Sequence, residues 1–356
     1  MKRIVLTGGG TAGHVTPNIA LIPQLKKEGW DIHYIGTHTG IEKRLIEPLK
    51  IPYYGISSGK LRRYMDIKNF TDPFRVLKGS GEAIALLKKL KPTVVFSKGG
   101  FVTVPIVLAG WVHKIPVIIH ESDITPGLAN RISIPFSTQV CANFPETLEH
   151  LPKKKRVLTG TPIRQELFQG DPEQGRKLCS FDNKKPILLM MGGSLGSVKI
   201  NHCLREALSE LLPSFQIVHL CGKGNVDPSL AGQKGYCQFE YVQTELPHLF
   251  AAADIILSRG GANAISELLA LKKPHLLIPL SAQNSRGDQI LNAQSFAKQG
   301  YSKVLQEEEM TPQRLAKDIQ DVYEHRHQYM KNMKKSNLTN GIENVMEQIR
   351  KWGIQA

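Results

Sequence analysis

Residues 2–17, KRIVLTGGGTAGHVTP, join a strand-like apolar run to a glycine-rich loop. The same plan returns at residues 184–197, KKPILLMMGGSLGS, where an apolar run again ends in a glycine loop. A strand, a glycine loop and a helix in that order are typical of the first unit of a parallel, doubly wound sheet. The two openings therefore predict two Rossmann-like α/β domains in one chain.

Short β-branched runs alternate with helix-length segments in both halves of the chain, as expected of parallel βαβ units. The clearest runs are DIHYIGT (31–37), TVVFSK (93–98), IPVIIHES (115–122), QIVHLCG (216–222), DIILSRGG (254–261) and HLLIPL (275–280). A stretch with charge, glycine and proline but no helical periodicity separates the halves near residue 160. We place the domains at 1–160 and 161–335, with a last helix at 336–356.

Composition narrows the class of protein. The 356 residues include five cysteines and carry a formal net charge of +15. An odd number of cysteines without a CxxC pair favours a reducing compartment over a disulfide scaffold or a zinc site. The sequence shows neither a signal-peptide pattern nor an apolar run of about 18 residues, so we expect a cytoplasmic protein. No nucleic-acid recognition motif accompanies the charge, which favours a membrane surface or phosphorylated ligands as the anionic partner.

Part of the positive charge is concentrated in residues 60–91, which hold nine lysines or arginines against three acidic residues. The same segment contains the apolar residues Leu61, Tyr64, Met65, Phe70 and Phe74. Basic residues mixed with apolar ones suit the surface of an anionic bilayer. An ordinary helix with one solvated face is the alternative.

The first glycine loop satisfies G-x-G-x-x-G through Gly8, Gly10 and Gly13. A dinucleotide site also needs an acidic residue at the end of the second strand, but that strand ends in Thr37, and Asp31 lies at its other end. The chain has no GxxxxGK[ST] motif and no Asp-x-Asp pair. These observations disfavour an oxidoreductase, a P-loop nucleotidase and a metal-dependent sugar-nucleotide enzyme.

Residues 257–280, LSRGGANAISELLALKKPHLLIPL, predict a strand, a glycine turn and a helix. The free N–H groups at the start of such a helix form an anion site. Glu267 lies one turn into the helix, where it can reach a ribose diol or merely favour the helix N-terminus. With the glycine loop at 192–196 and Gln289, the pattern favours a nucleotide-diphosphate site.

Seven motifs now stand in order along the chain: GGGTAGHVTP (8–17), SKGGFVTVP (97–105), HESDITPGLANR (120–131), GTPIR (160–164), MGGSLGS (191–197), SRGGANAISE (258–267) and RGDQILNA (286–293). The set resembles the family 28 glycosyltransferases that transfer N-acetylglucosamine from UDP-GlcNAc to undecaprenyl-diphospho-muramoyl-pentapeptide (lipid I), giving lipid II for peptidoglycan. The resemblance implies the GT-B fold, which has two Rossmann-like doubly wound domains facing across a cleft. It also implies a C-terminal helix that returns to the first domain.

The resemblance further implies an inverting transfer that needs no metal and no cofactor. The expected partners are UDP-GlcNAc, lipid I, the anionic cytoplasmic surface of the cell membrane, and other cell-wall synthesis or division proteins. Nucleic acid is not among them. We expect a peripheral protein at the cytoplasmic face of the membrane.

By the same resemblance, the donor site is distributed over several motifs. Thr11, Ala12 and Gly13 should line the transferred sugar, Arg164 and Ser194 should contact the diphosphate, and the backbone near Val242 should contact the uracil. Ala262, Asn263, Ser266 and Glu267 should hold the diphosphate and ribose, and Gln289 the hydroxyls of GlcNAc. Gly9, Gly10, Gly99, Gly100 and Phe101 should form the acceptor side.

His14 is the candidate general base, because an imidazole is well matched to deprotonating a hydroxyl near neutral pH. A role in positioning a ligand or in structure alone is the alternative for His14. Glu121 and Asp123 are the other candidate bases. Asp123 stands where the family most often has an amide-bearing residue, which leaves open whether it positions the sugar or takes part in proton transfer.

Other functions stay open at this stage. A GT-B enzyme that glycosylates diacylglycerol would use the same basic and apolar segment. A sugar-nucleotide sensor without catalysis would keep the donor motifs but has no need of His14 or of the acceptor-side loops.

Overall fold

The computed structural model describes residues 2–59, 68–182, 184–193, 196–283 and 285–354, with the backbone alone for 68–74 and 340. It divides into two compact units, Met1–Arg164 with Asn340–Ala356, and Gln165–Thr339. The predicted membrane-facing residues Leu61, Tyr64 and Met65 lie outside the described residues. The side chains of Phe70 and Phe74 do so as well.

The first unit is built on a parallel sheet of seven strands in the order β3-β2-β1-β4-β5-β6-β7. The strands are β1 (Arg3–Thr7), β2 (Asp31–Thr37), β3 (Tyr53–Ile56), β4 (Val94–Ser97), β5 (Val117–Glu121), β6 (Gln139–Ala142) and β7 (Arg156–Leu158). The α-helices between them are α1 (Thr16–Lys27), α2 (Ile41–Ile46), α3 (Lys68–Leu90), α4 (Thr103–Val112) and α5 (Leu128–Ser133).

Strand β1 shows why this sheet has helices on both faces. Ile4 and Leu6 belong to one buried cluster, while Val5 belongs to a second cluster on the opposite face. Alternate side chains of a strand point to opposite faces, so a strand that is apolar throughout must be covered twice. The apolar run of residues 4–6 therefore requires a three-layer α/β arrangement.

The second unit repeats this architecture with six parallel strands in the order β10-β9-β8-β11-β12-β13. They are β8 (Ile187–Met191), β9 (Gln216–Leu220), β10 (Tyr236–Phe239), β11 (Ile255–Ser258), β12 (His275–Leu277) and β13 (Lys303–Val304). The helices are α6 (Pro172–Leu178), α7 (Val198–Glu206), α8 (Leu208–Leu211), α9 (Leu246–Ala252), α10 (Ala262–Ala270), α11 (Asp288–Lys298), α12 (Pro312–Glu324) and α13 (Arg326–Met333).

The last helix, α14 (Gly341–Gly353), packs on the first unit. Val345, Met346 and Ile349 are fully buried in the cluster that contains Ile4 and Leu6 of β1. These three residues lie on one face of the helix, as expected of an amphipathic helix against a core. The C-terminal segment thus completes one layer of the first unit.

The strand order reverses direction between β1 and β4, and again between β8 and β11. In open parallel sheets, ligands bind outside the carboxyl ends of the strands at such a switch point. Each unit therefore presents one expected binding edge. Among the described residues, no helix is long and apolar enough to cross a membrane.

Candidate active site

Two buried side chains of the first unit hydrogen-bond to the backbone where the glycine loop begins after β1. Asn18, fully buried on α1, donates from Nδ2 to the carbonyl oxygen of Thr7 at 3.1 Å. Tyr34 on β2 donates its hydroxyl to the carbonyl oxygen of Gly8 at 2.7 Å. Burial raises the pKa of Tyr34, so its phenol stays protonated and remains a donor. The backbone is thus fixed at Thr7 and Gly8, where the loop leaves the sheet.

Glu42, a fully buried residue of α2, binds the same loop from the side. One carboxylate oxygen accepts from the amide of Gly10 at 3.2 Å. The other accepts from the amide of Thr37 at 2.9 Å and from its hydroxyl at 2.5 Å. A dinucleotide site would offer a carboxylate near this strand end to a ribose. Here the carboxylate binds Gly10 and Thr37 of the protein itself.

His14 ends the short 3-10 helix Ala12–His14 that follows the loop. Its Nδ1 lies 2.9 Å from the carbonyl oxygen of Gly9 and 3.2 Å from the hydroxyl of Thr11. A carbonyl oxygen only accepts, so Nδ1 carries the proton and Nε2 keeps its lone pair. Burial, joined by the charge of Lys98, lowers the pKa of His14 below its ordinary value of 6.5. The imidazole is therefore neutral near pH 7, as a general base must be.

The loop after β4 lies directly against the first glycine loop. The amide of Gly9 donates to the carbonyl oxygen of Gly99 at 3.2 Å. A Cβ at Gly100 would stand 2.2 Å from the carbonyl oxygen of Gly9, and both Gly99 and Gly100 have positive φ, at +98° and +93°. Contact with Gly9 excludes a side chain at Gly100, and the positive φ disfavours one at both positions. The structure thus brings together the predicted acceptor residues Gly9, Gly10, Gly99 and Gly100, with the half-buried Phe101 next in the chain.

Glu121, one of the alternative bases, ends β5 and is 4% exposed. Its Oε1 accepts from the amides of Ser122 and Asp123 at 2.8 and 3.0 Å. Its Oε2 accepts from the amide of Gly127 at 3.0 Å and from Nδ2 of Asn130 at 2.8 Å. Burial, followed by the charge of Asp123, raises its pKa. Four donors on one carboxylate give Glu121 a clear role in shaping the loop after β5.

Asp123, the other alternative base, is half-buried in that same loop. Its amide donates to Glu121, and its carbonyl oxygen accepts from the hydroxyl of Thr147 at 3.1 Å. The backbone of Asp123 is therefore fixed from two sides. Its side chain therefore extends from a loop whose backbone is fixed, and not from a helix or a strand.

In the second unit, helix α10 starts directly after the glycine pair that follows β11. Ala262 and Ser266 are buried, Asn263 and Glu267 half-buried, and the hydroxyl of Ser266 donates to the carbonyl oxygen of Ala262 at 2.8 Å. A Cβ at Gly260 would stand 2.4 Å from the carbonyl oxygen of Gln289. The start of α11 is thus packed against the turn that precedes α10.

Gln289 is held in place by the backbone of a neighbouring loop. Its Oε1 accepts from the amide of Leu280 at 3.0 Å. The oxygen is thus used within the protein, so any contact of this side chain with a sugar hydroxyl oxygen would be made by its N–H groups. Binding of a sugar by Gln289 stays a prediction, in which the side-chain N–H groups are the expected donors.

Arg259 lies at the end of β11, beside the expected anion site, yet its charge is paired within the protein. Its NH2 lies 2.6 Å from Glu307, which is 4% exposed, and donates to the hydroxyl of Ser197 at 2.6 Å. Its NH1 donates to the carbonyl oxygen of Ile278 at 3.2 Å. Ser197 in turn caps α7 by accepting from the amide of Ile200. Arg259 therefore joins the loops that follow β8, β11 and β12.

The remaining predicted donor residues are distributed as follows. Val242 is 8% exposed, in the loop after β10. Arg164 is half-buried and is the last residue of the first segment of the first unit. Ser194 lies outside the described residues. Within the described part of the chain, no three His, Cys, Asp or Glu side chains lie close enough together to hold a metal ion.

Comparison with known proteins identifies the family. Residues 4–142 match the glycosyltransferase family 28 N-terminal domain, and residues 187–349 match the family 28 C-terminal domain. The chain is 62% identical over 346 residues to a protein of Lachnoclostridium phytofermentans, covering 97% of this chain and 98% of the relative. It is 58% identical over 351 residues to a protein of Clostridium tetani, covering 99% and 98% respectively.

Both relatives are named UDP-N-acetylglucosamine–N-acetylmuramyl-(pentapeptide) pyrophosphoryl-undecaprenol N-acetylglucosamine transferase. Among solved structures, MurG of Acinetobacter baumannii is similar with a TM-score of 0.79 at 27% identity, covering 99% of this chain and 100% of that one. The two parallel sheets agree with this likeness, so the expected GT-B fold of two Rossmann-like domains is confirmed. The chain belongs to glycosyltransferase family 28.

Proposed function

We propose that this chain transfers N-acetylglucosamine from UDP-GlcNAc to the 4-hydroxyl of undecaprenyl-diphospho-N-acetylmuramoyl-pentapeptide, with inversion at the anomeric carbon and without a metal ion or cofactor. Family membership, together with the activity named for relatives at 62% and 58% identity, supports the substrates and the reaction. The observation that carries the chemistry is the contact between Gly9 and His14, which leaves a neutral imidazole with its lone pair on Nε2.

In the proposed step, the 4-hydroxyl oxygen of the acceptor attacks C1 of the GlcNAc unit. The bond between C1 and the phosphate oxygen breaks, and UDP leaves with the bonding electron pair. The hydroxyl proton passes to Nε2 of His14. A positioned base of this kind contributes roughly 10²- to 10⁴-fold to the rate. The glycine pair Gly99–Gly100 keeps the backbone beside this base free of side chains, which gives an acceptor diphosphate access to it.

The leaving diphosphate needs a counter-charge. The first turn of α10 presents the positive end of a helix dipole, which favours an anion. Arg164 supplies a guanidinium, which suits a diphosphate because it donates in a bidentate fork. Glu267 is proposed to accept from the ribose hydroxyls, one turn further along the helix. Because the helix dipole and the guanidinium would together balance the charge of the leaving diphosphate, we propose a reaction that runs without a metal.

Product analysis tests the stereochemistry and the site of attachment. UDP-GlcNAc carries an α-linked sugar, so a single displacement must give a β-linked product. We expect NMR of the purified product to show a β-anomeric coupling and attachment at O4 of the muramoyl residue. An α-linked product would refute single displacement, and transfer to diacylglycerol instead of the muramoyl acceptor would refute the proposed substrate.

We also propose that the protein works as a peripheral protein at the anionic cytoplasmic face of the cell membrane. Trp111 and Val112, at the end of α4, are 58% and 51% exposed. His113 lies 2.9 Å by Nε2 from the carbonyl oxygen of Ile84 on α3, a helix whose last turn carries Lys88 and Lys89. Exposed apolar side chains beside lysines favour an anionic bilayer, where each basic residue contributes about 1 kcal/mol.

Vesicle sedimentation tests this placement. We expect binding to phosphatidylglycerol vesicles, weaker binding to phosphatidylcholine vesicles, and a loss of binding in Trp111→Ser. Phe168→Ser removes a similarly exposed aromatic residue of the second unit and serves as the control. Equal binding of wild type and Trp111→Ser would contradict the proposal.

A further inference from the structure

Lys98 is a buried lysine between β4 and the glycine pair Gly99–Gly100. It is 1% exposed, and the function proposed above gives it no role. Its Nζ lies 2.6 Å from Nδ1 of His120 and 2.5 Å from the hydroxyl of Ser122. Burying an amine is costly unless it is well paired, so a lysine in this position calls for a specific reason.

The partner of Lys98 has a defined tautomer. Nε2 of His120 lies 2.8 Å from the carbonyl oxygen of Gly160, which only accepts, so Nε2 carries the proton. Nδ1 therefore accepts from Lys98. The direction of both hydrogen bonds follows from chemistry alone.

One amine thus joins three separate segments of the first unit. Gly99 follows Lys98 directly in the chain and contacts Gly9. Ser122 belongs to the loop after β5, which also carries Asp123. Gly160 follows β7, with Thr159 beside it accepting at its carbonyl oxygen from Nδ2 of Asn344 on α14 at 2.9 Å. Removing the Lys98 amine would take away the hydrogen bonds that link the loop after β4 to His120 and Ser122.

We propose that Lys98 is a positioning residue for the transfer reaction, which holds the loops after β4 and β5 in the arrangement that receives the lipid-linked acceptor. The inference rests on the proposed function, since it concerns the acceptor of that reaction. Lys98 acts through Ser122, His120 and the adjoining Gly99, because its own side chain is buried away from solvent.

The charge of Lys98 also affects the pKa of the candidate base, His14. Burial lowers the pKa of Lys98 to about 7, against the charges of Glu121, Asp123 and Cys141, which act to raise it. The charge of Lys98 in turn acts to lower the pKa of His14, while Glu42 acts in the opposite direction. Replacing Lys98 by a neutral residue should therefore raise the pKa of His14 and move the acid limb of activity to higher pH.

Steady-state kinetics of Lys98→Met and Ser122→Ala test the proposal. Loss of hydrogen bonds to a charged group predicts about a 10- to 100-fold rise in the acceptor KM for Lys98→Met and a smaller rise for Ser122→Ala. The KM for UDP-GlcNAc should stay within about twofold, a smaller loss than that of a charged hydrogen bond, because Nζ of Lys98 bonds to His120 and Ser122, which are not among the predicted donor residues. Only Lys98→Met should shift the acid limb. Lys153→Met, at an exposed lysine of the same unit, is the control.

Two outcomes would overturn the inference. One is a folded Lys98→Met with an unchanged acceptor KM and pH profile, and the other is an equal rise in both KM values. If Lys98→Met does not fold, Ser122→Ala carries the test. Absence of acceptor-dependent turnover in the wild-type chain would refute the proposed function instead. Hydrogen exchange of residues 120–131, expected to be faster in Lys98→Met, then tests the positioning of the loop separately.

Discussion

The carbonyl oxygen of Gly9 lies 2.9 Å from Nδ1 of His14. This single contact selects the tautomer of the imidazole that has its lone pair on Nε2. The amide of the same glycine donates to Gly99 of the second acceptor-side loop at 3.2 Å. The candidate base and the candidate acceptor loop are therefore tied to one residue, and disturbing that residue's neighbours should affect both.

Replacing His14 by glutamine should lower kcat by roughly 10²- to 10⁴-fold, because a general base contributes about that factor. Glutamine keeps a side-chain donor for Gly9 but cannot take up the hydroxyl proton. Binding of UDP-GlcNAc, measured by calorimetry, should be nearly unchanged. A variant with turnover close to wild type would remove the base role and leave His14 as a ligand-positioning or structural residue.

The pH dependence of kcat/KM, which reports the free enzyme, should have an acid limb whose midpoint lies below 6.5. Burial, with a contribution from Lys98, lowers the pKa of His14 from that value. A base works in its neutral form, so activity is complete above the pKa and is lost as the pH falls through it. A pH–rate profile measures this directly. A midpoint above 6.5, or an acid limb that persists in His14→Gln, would contradict the assignment.

Gly100→Ala should reduce activity much more than it reduces overall stability. The new Cβ would lie 2.2 Å from the carbonyl oxygen of Gly9, at a φ of +93° that a non-glycine residue rarely adopts. Strain of this kind costs about 1–3 kcal/mol, and here it falls on the contact that also places His14. Activity assays and thermal unfolding together measure the effect.

Gly81→Ala is the matched control for this substitution. Its Cβ would meet nothing within 4 Å, and Gly81 lies inside helix α3. Alanine there should stabilise the protein by roughly 0.5–1 kcal/mol and leave activity unchanged. If Gly100→Ala behaves like Gly81→Ala, the close approach of the two loops is not important for catalysis.

Glu307→Gln should destabilise the second unit and raise the KM for UDP-GlcNAc. Removing one partner of a buried ion pair costs about 3–5 kcal/mol, and here it leaves Arg259 unpaired. The freed guanidinium would no longer hold Ser197 and the loop before α7 in place. Glu309→Gln changes an exposed neighbour and is the control. An unchanged KM in a destabilised Glu307→Gln would show that this ion pair serves stability alone.

The ion pair Glu28–Arg350 should make the free energy of unfolding depend on pH in the acid range. Its oxygen and nitrogen atoms lie 2.7 Å apart and join α1 to α14. The hydrogen bond from Arg350 is the main cause that lowers the pKa of Glu28 from 4.5 to about 2. A carboxylate with a lowered pKa stabilises the fold above pH 4.5, and this contribution is lost as the pH falls toward 2.

Thermal unfolding of wild type and Glu28→Gln at several pH values measures this contribution. Near neutral pH the variant should be less stable by roughly 0.2–1 kcal/mol, which is typical of a partly exposed ion pair. The difference should shrink between pH 4.5 and pH 2. Glu149→Gln, at an exposed residue of the same unit, should show no such trend. A difference that is constant with pH would contradict the role of this ion pair.

Much of the fold follows from local sequence. The apolar runs that open each unit form β1 and β8, and DIHYIGT forms β2 over the same residues, Asp31–Thr37. The short strands β3 and β13 do not stand out, because their half-buried residues resemble loop sequence. The helical segment after β8 is divided into α7 and α8, which lie on either side of Ala207.

The contacts that build the site are harder to predict from the sequence than the strands and helices are. His14 can be proposed from its type and its place after a glycine loop. Glu42 binds Gly10 from 32 positions away, and Lys98 reaches Ser122 across 24. Glu307 pairs with Arg259 from the 3-10 helix Glu307–Glu309, which follows β13. Glu42 and Glu307 lie outside the seven motifs, and the motifs that contain Lys98 and Arg259 do not indicate their partners, since only the folded sheets bring these residues together.

The most direct test of the account is release of UDP from UDP-GlcNAc by the wild-type chain in EDTA, with and without a short-chain analogue of the lipid-linked muramoyl-pentapeptide. The account predicts release that depends on the acceptor and is insensitive to EDTA. Release that requires a divalent metal would contradict the proposed charge stabilisation by Arg164 and α10. Tight binding of UDP-GlcNAc with no release would contradict the transferase itself.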